Sequence, residues 1–174
     1  MRIRSLLIVT IAGMLALGIA LPASAEPTTA TITVTGGSLS ITVPADAGNL
    51  GTRMNTVAGG TISGPLGQVQ VNDARSAVAG SGWVSSVIST AFTPPTGPAI
   101  AASAVGYTAG PITKVGTATY TANDPGNLTG VAPAVTATGI TGDNSATWNP
   151  TINVAVPGGT AAGVYSATIT HSVV

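Results

Sequence analysis

Along this chain apolar and polar residues alternate with a period of two in one short segment after another, and no stretch sustains a helical period. Residues 31–35 (TITVT) alternate, Gly36 and Gly37 follow, and residues 38–43 (SLSITV) alternate again. The pattern predicts a β-hairpin closed by a Gly-Gly turn, since glycine supplies the positive φ angles of a tight loop. Leu39, Ile41 and Val43 then share one face, and Pro44 ends the strand. Further strands are predicted over residues 67–72, 82–90, 115–121, 135–140, 146–156 and 163–173. In the last two, parity turns Trp148, Pro150, Ile152, Val154 and Val156 inward, and likewise Tyr165, Ala167, Ile169, His171 and Val173. Residues 93–98, 123–127 and 157–159 carry turn chemistry, and 93–103 reads as a longer, mobile loop. Gly163, Val164 and Tyr165 read as a tyrosine corner, with the ring inward and the hydroxyl bonded back to an upstream backbone group.

Many short strands with no helix to cover a parallel sheet predict an all-β fold, an antiparallel β-sandwich of Greek-key, immunoglobulin-like type. No internal repeat interrupts it. Only the first 25 residues follow a different rule. Arg2 and Arg4 precede an uncharged apolar run over residues 6–21, and Ala23, Ser24 and Ala25 close it with a small-x-small site. This is the pattern of a signal peptide cleaved between Ala25 and Glu26. The apolar run is short for a bilayer span, so no membrane span is expected after processing. Removing 25 residues from 174 leaves 149, read as a single domain over 26–174. Cysteine is absent, which excludes a lipid-anchoring cysteine and any disulfide. The fold must therefore hold by core packing alone.

Charge narrows the function. After the signal the basic residues are Arg53, Arg75 and Lys114, against Glu26, Asp46, Asp73, Asp124 and Asp143, a net charge of −2. No basic stripe can be built from three cations, which argues against nucleic acid and against anionic lipid as partners. His171 is the one histidine, and it falls on the apolar parity of the last strand. No Gly-x-Ser-x-Gly turn presents a nucleophile, so no enzyme is expected. One histidine without cysteine supplies no zinc or copper site, and residues 123–127 and 142–144 offer one carboxylate each toward calcium. No cofactor and no metal are expected. Asn127 and Thr129 fit a glycosylation tripeptide that also occurs by chance. Trp83, beside Gly82, Ser85 and Ser86, is read either as a core side chain or as a ring in contact with a ligand.

Leu39-Ser40-Ile41, the stretch from Leu66 to Arg75 followed by Gly82 and Trp83, and the final Tyr165 to Val173 occur in an order that resembles the WxL-type cell-surface domain of Gram-positive bacteria. Its first Trp-x-Leu position reads Trp83-Val84-Ser85 here, which keeps the tryptophan, and its second reads His171-Ser172-Val173, which keeps an aliphatic residue. The resemblance implies non-covalent association with peptidoglycan or with a surface partner protein, and it points to Trp83, His171 and Val173 as binding residues. With no sorting signal after the last strand, retention at the wall is expected to be non-covalent. The expected function is that of a secreted, non-enzymatic, cell wall-associated protein. A structural surface subunit that self-associates through its edge strands is the alternative.

Overall fold

A computed structural model describes residues 29–174 of the chain. The expected cleavage between Ala25 and Glu26 lies outside the described residues. Two compact units are distinguished, Met1–Val34 and Thr35–Val174. Of the first, only residues 29–34 are described, and they carry no helix or strand.

The second unit is nearly all β. Its strands are β1 (Leu39–Thr42), β2 (Gly60–Pro65), β3 (Val69–Ser89), β4 (Val105–Thr108), β5 (Thr113–Ala122), β6 (Ala132–Trp148), β7 (Thr151–Val156) and β8 (Ile169–Val173), with one 3-10 turn at Ala102–Ala104 before β4. The larger sheet runs β1-β3-β6-β5, and β8 joins it beside the second half of β3. The smaller sheet runs β2-β7-β4. Every pairing is antiparallel, and the two sheets enclose one core, so the fold is an antiparallel β-sandwich. The core takes Val69, Val71, Trp83 and Val87 from β3, Ile140 and Trp148 from β6, and Tyr107 and Ile152 from the smaller sheet. In β3 the buried positions are odd-numbered on both sides of a stretch at 74–80 that holds no buried residue.

That stretch is a corner. Val69 pairs with Trp148 and Val87 pairs with His171, 18 positions further along β3. A straight strand would separate those two rungs by about 60 Å. Yet the side chains of Trp148 and His171 both reach the hydroxyl of Tyr107, at 2.7 and 3.3 Å. β3 must therefore fold sharply between the rungs. The irregularity is explicit in the register, where Asp73 faces Asn144 but Trp83 faces Ala137, so β3 spends more residues than β6 over the same interval. Extra residues on one strand bend it and increase its twist. Ser76 at φ 53° and Gly142 at φ 71° occupy the left-handed region there.

The structure corrects several predicted elements. Residues 31–35 form no strand, and Gly36 and Gly37 form no hairpin turn. Instead the Gly37 N–H donates to Ala74 O and the Ala74 N–H donates to Ser38 O, which lays the chain against β3. A Cβ on Gly37 would lie 2.9 Å from the Ala74 Cβ, so this glycine serves close approach. The predicted strands at 67–72 and 82–90 are the two arms of β3. The predicted strand at 146–156 is cut at Asn149 and Pro150, where the chain leaves the larger sheet for the smaller one. β2 and β4 were not predicted. The segment read as a mobile loop is pinned by a bridge between Phe92 and Ile100 and another between Thr93 and Ser166. Parity in the last two strands holds throughout: Ile152 and Val154 are buried, and Ile169, His171 and Val173 are half-buried between exposed neighbours. The tyrosine corner also forms, with the Tyr165 hydroxyl donating to Ala161 O at 3.0 Å.

Ile152→Asp should leave no cooperative unfolding transition, because a buried unpaired charge costs several kcal/mol. Ala155→Asp, on the solvent face of the same strand, should melt within a few degrees of the parent. Circular dichroism melts of the two variants test the register of β7.

Candidate functional site

Three features carry the polar and open chemistry of this domain: a hydrogen-bonded network at the corner, a shared hydroxyl in the core, and an apolar cleft. At the corner Asp73 is fully buried. Its Oδ1 accepts from the backbone N–H and the Nε of Arg75, and its Oδ2 accepts from an Arg75 terminal nitrogen and from the Asn144 amide, at 2.8–3.2 Å. All four lone-pair sites of the carboxylate are thus filled. The Arg75 guanidinium holds the Asp73 carboxyl below the usual carboxylate range, against the opposing effect of burial. Asn144 Oδ1 in turn accepts the indole N–H of Trp83 at 3.0 Å and faces the Tyr120 hydroxyl at 3.2 Å. Arg75 also donates to Gly82 O at 3.2 Å. The Trp83–Asn144 bond ties the second arm of β3 to the β6 residue that faces Asp73, and the Arg75–Gly82 bond ties the corner to the start of that arm.

In the core the Tyr107 hydroxyl accepts from the Trp148 indole N–H and lies against His171 Nε2. The Tyr107 and His171 rings are tilted at 58° with centroids 5.6 Å apart. Burial pushes the Tyr107 hydroxyl well above its ordinary range and pushes the His171 imidazole down to about 4. His171 is therefore neutral at pH 7. Its Nδ1 and the Ser85 Oγ, on the adjacent strand, are buried with no hydrogen-bond partner among the described residues.

Of the residues singled out in the sequence, Trp83 is 2% exposed and offers no free ring face to a ligand in this conformation. His171 and Val173 are half-buried on the inner face of β8. Val173 pairs with Ser85, so Trp83 and Val173 stand a diagonal step apart on neighbouring strands. The ladder thus brings together the surviving tryptophan of one motif position and the surviving aliphatic residue of the other. None of the six aromatic side chains is among the exposed large hydrophobic residues.

The open feature is a cleft of 880 Å³ between residues 44–56, which have no regular structure, and the segment joining β7 to β8. Its walls are Leu50, Ile62, Phe92, Val156, Tyr165 and Ile169. Three polar side chains at its rim are held by nearby backbone: Asp46 accepts from the Gly48 N–H, Asn49 from the Gly51 N–H, and Arg53 donates to Gly59 O and Thr61 O. The cleft offers a ligand apolar surface together with the polar side chains of Asn55, Ser166 and Thr168. Sequence reasoning missed it because residues 44–56 show no periodicity, and it missed Tyr107 because a four-residue strand is too short to stand out. No family model matches this chain, and no match was found among curated proteins.

Two predictions follow from the side chains above. Trp83→Ala should destabilise by about 3–5 kcal/mol, as large-to-small aromatic truncations do. Trp83→Phe, which keeps a smaller aromatic ring and loses the indole N–H, should cost less than Trp83→Ala but more than the roughly 1 kcal/mol of one hydrogen bond. Denaturant melts of the pair read the two costs. The second concerns acid. The native state disfavours protonated His171 while the unfolded chain accepts the proton near 6.5, so the unfolded state binds more protons between the two values. Stability should be complete above pH 6.5 and fall as pH drops toward 4, by about 3 kcal/mol in all. Below that range Asp73 adds loss in the same direction. His171→Gln should remove the step between pH 6.5 and 4, read from unfolding free energy against pH.

Proposed function

We propose that this is an exported, non-enzymatic protein of the bacterial cell envelope that works by holding a surface partner protein in the apolar cleft. The observation that carries the reading is the chemistry of that cleft. Leu50, Ile62, Phe92, Val156 and Ile169 give it a continuous apolar lining, and Asp46, Asn49 and Arg53 at its rim are already hydrogen-bonded to nearby backbone. An extended polypeptide needs apolar pockets flanked by polar groups that can meet its backbone. The apolar lining, with Asn55, Ser166 and Thr168 beside it, supplies both. The non-enzymatic reading is supported by the placement of the titratable groups. His171 is packed against Tyr107 in the core, and Asp73 is enclosed by Arg75 and Asn144. Among the described residues no histidine or paired carboxylates face the cleft. The signal-like N-terminus and the resemblance to the WxL-type domain support an envelope location.

Met54 and Val164 line the cleft and are strongly exposed, so they are the residues to change without disturbing the core. Met54→Asp with Val164→Asp should abolish capture of surface proteins by the immobilised domain and leave its melting temperature unchanged. Saturable retention on purified peptidoglycan, unaffected by those substitutions, would instead make the wall polymer the ligand.

A further inference from the structure

We propose that the occupant of the cleft is the N-terminal segment of a second copy of this chain. Residues 31–35 of one molecule add as a strand to the free edge of β8 in the next, with Ile32 and Val34 entering the apolar cleft. The proposal rests on the partner-binding reading above and names the partner.

The donor is visible in the sequence and in the structure. Residues 31–35 alternate as a strand should, carry no charge, and have no strand partner among the described residues. Ile32 is 91% exposed and Val34 is 82% exposed. Two large aliphatic side chains on one face of an unpaired, strand-patterned segment form an incomplete sheet element.

The acceptor follows from the ladder. Val84 and Val174 exchange both backbone hydrogen bonds, and the Thr90 N–H donates to Thr168 O. Antiparallel alternation then points the backbone groups of the even-numbered residues of β8 at β3 and those of Ile169, His171 and Val173 outward. Among the described strands β8 pairs with β3 alone; β1, which pairs with the other arm of β3, comes near it without forming a ladder. The inner-face side chains of these same three residues are only half-buried, as expected where the next strand of a sheet is missing. A register that sets Val34 opposite Ile169 and Ile32 opposite His171 puts both aliphatic side chains on the inner face of β8, beside the cleft that Ile169 lines.

Two of the other edges suit the segment less well. Arg53 occupies the carbonyls of Gly59 and Thr61 at β2. β5 presents Lys114 and two register shifts, both devices that discourage strand addition. Because donor and acceptor are different surfaces, the contact does not close on itself and generates open chains of molecules.

The test uses the chain beginning at Glu26 and two variants in sedimentation velocity. The parent should associate progressively with concentration. Ile32→Asp with Val34→Asp removes the donor, and Val173→Pro removes an outward N–H that β3 does not use. Each variant alone should be monomeric, and an equal mixture should form a one-to-one dimer and nothing larger. Should Val173→Pro fail to fold, a synthetic peptide of residues 29–36 should bind the donor-defective chain saturably, and the same peptide with Asp at 32 and 34 should not. A parent that stays monomeric at millimolar concentration overturns the proposal, as does undiminished association of the donor-defective variant. If the parent is monomeric while Met54→Asp with Val164→Asp still loses surface-protein capture, self-donation fails and the partner-binding reading stands. Loss of neither overturns both.

Discussion

The fold depends on one hydrogen bond that spans the corner of β3, from the Trp83 indole to Asn144. Asn144 sits on the rung of Asp73, ten positions before Trp83 along β3. An indole cannot bridge a straight run of that length, about 33 Å. The bond exists because the strand turns back, and it helps keep the strand turned. It is anchored in turn by Asp73, whose buried charge would be prohibitive without the bidentate Arg75 and the Asn144 amide. A fully satisfied buried network of this kind specifies one arrangement, since any slip leaves several polar groups without partners. The chain has no cysteine, so no disulfide shares that role.

The corner also shapes the side of the sandwich where the cleft lies. By folding the larger sheet, it carries Trp148 and His171 onto the same Tyr107 hydroxyl, which fixes β8 against the core. The smaller sheet has three strands, and β8 stands at the border of the larger one with its outer backbone groups unpaired. The cleft occupies this side of the sandwich, where residues 44–56 wrap it without a strand of their own. Packing that is tight at Trp83 and incomplete at Ile169 is thus one property of one strand arrangement. A rigid corner presents an unfinished edge.

Much of this could be read from the chain. Parity alone assigned the inward faces of β7 and β8, because a period of two leaves only one choice once Ile152 or Ile169 is placed. The tyrosine corner was legible because a glycine two positions before Tyr165 marks the start of the chain's last predicted strand. The corner itself was not. Residues 74–80 lack alternation, which reads as a break between strands, whereas the backbone stays paired through bulges that no local pattern encodes. Gly36 and Gly37 misled for a related reason: glycine permits a positive φ and also permits close approach, and only the neighbouring strand decides between them. Nothing in the local pattern around Asp73 and Arg75, two positions apart, announces that the fold buries the carboxylate. The site was the least legible part, since the cleft is a vacancy between segments and leaves no motif in either.

The corner can be tested at its hydrogen bonds by nuclear magnetic resonance. The chain has two tryptophans, so two indole N–H signals report both contacts. The account predicts a nuclear Overhauser effect from the Trp83 indole proton to the Asn144 side-chain amide and one from the Trp148 indole proton to the Tyr107 ring, with slow solvent exchange at both. Indole protons that exchange rapidly, or that show effects only to residues on their own rungs such as Ala137 and Val69, would contradict the fold of β3 and with it the cleft.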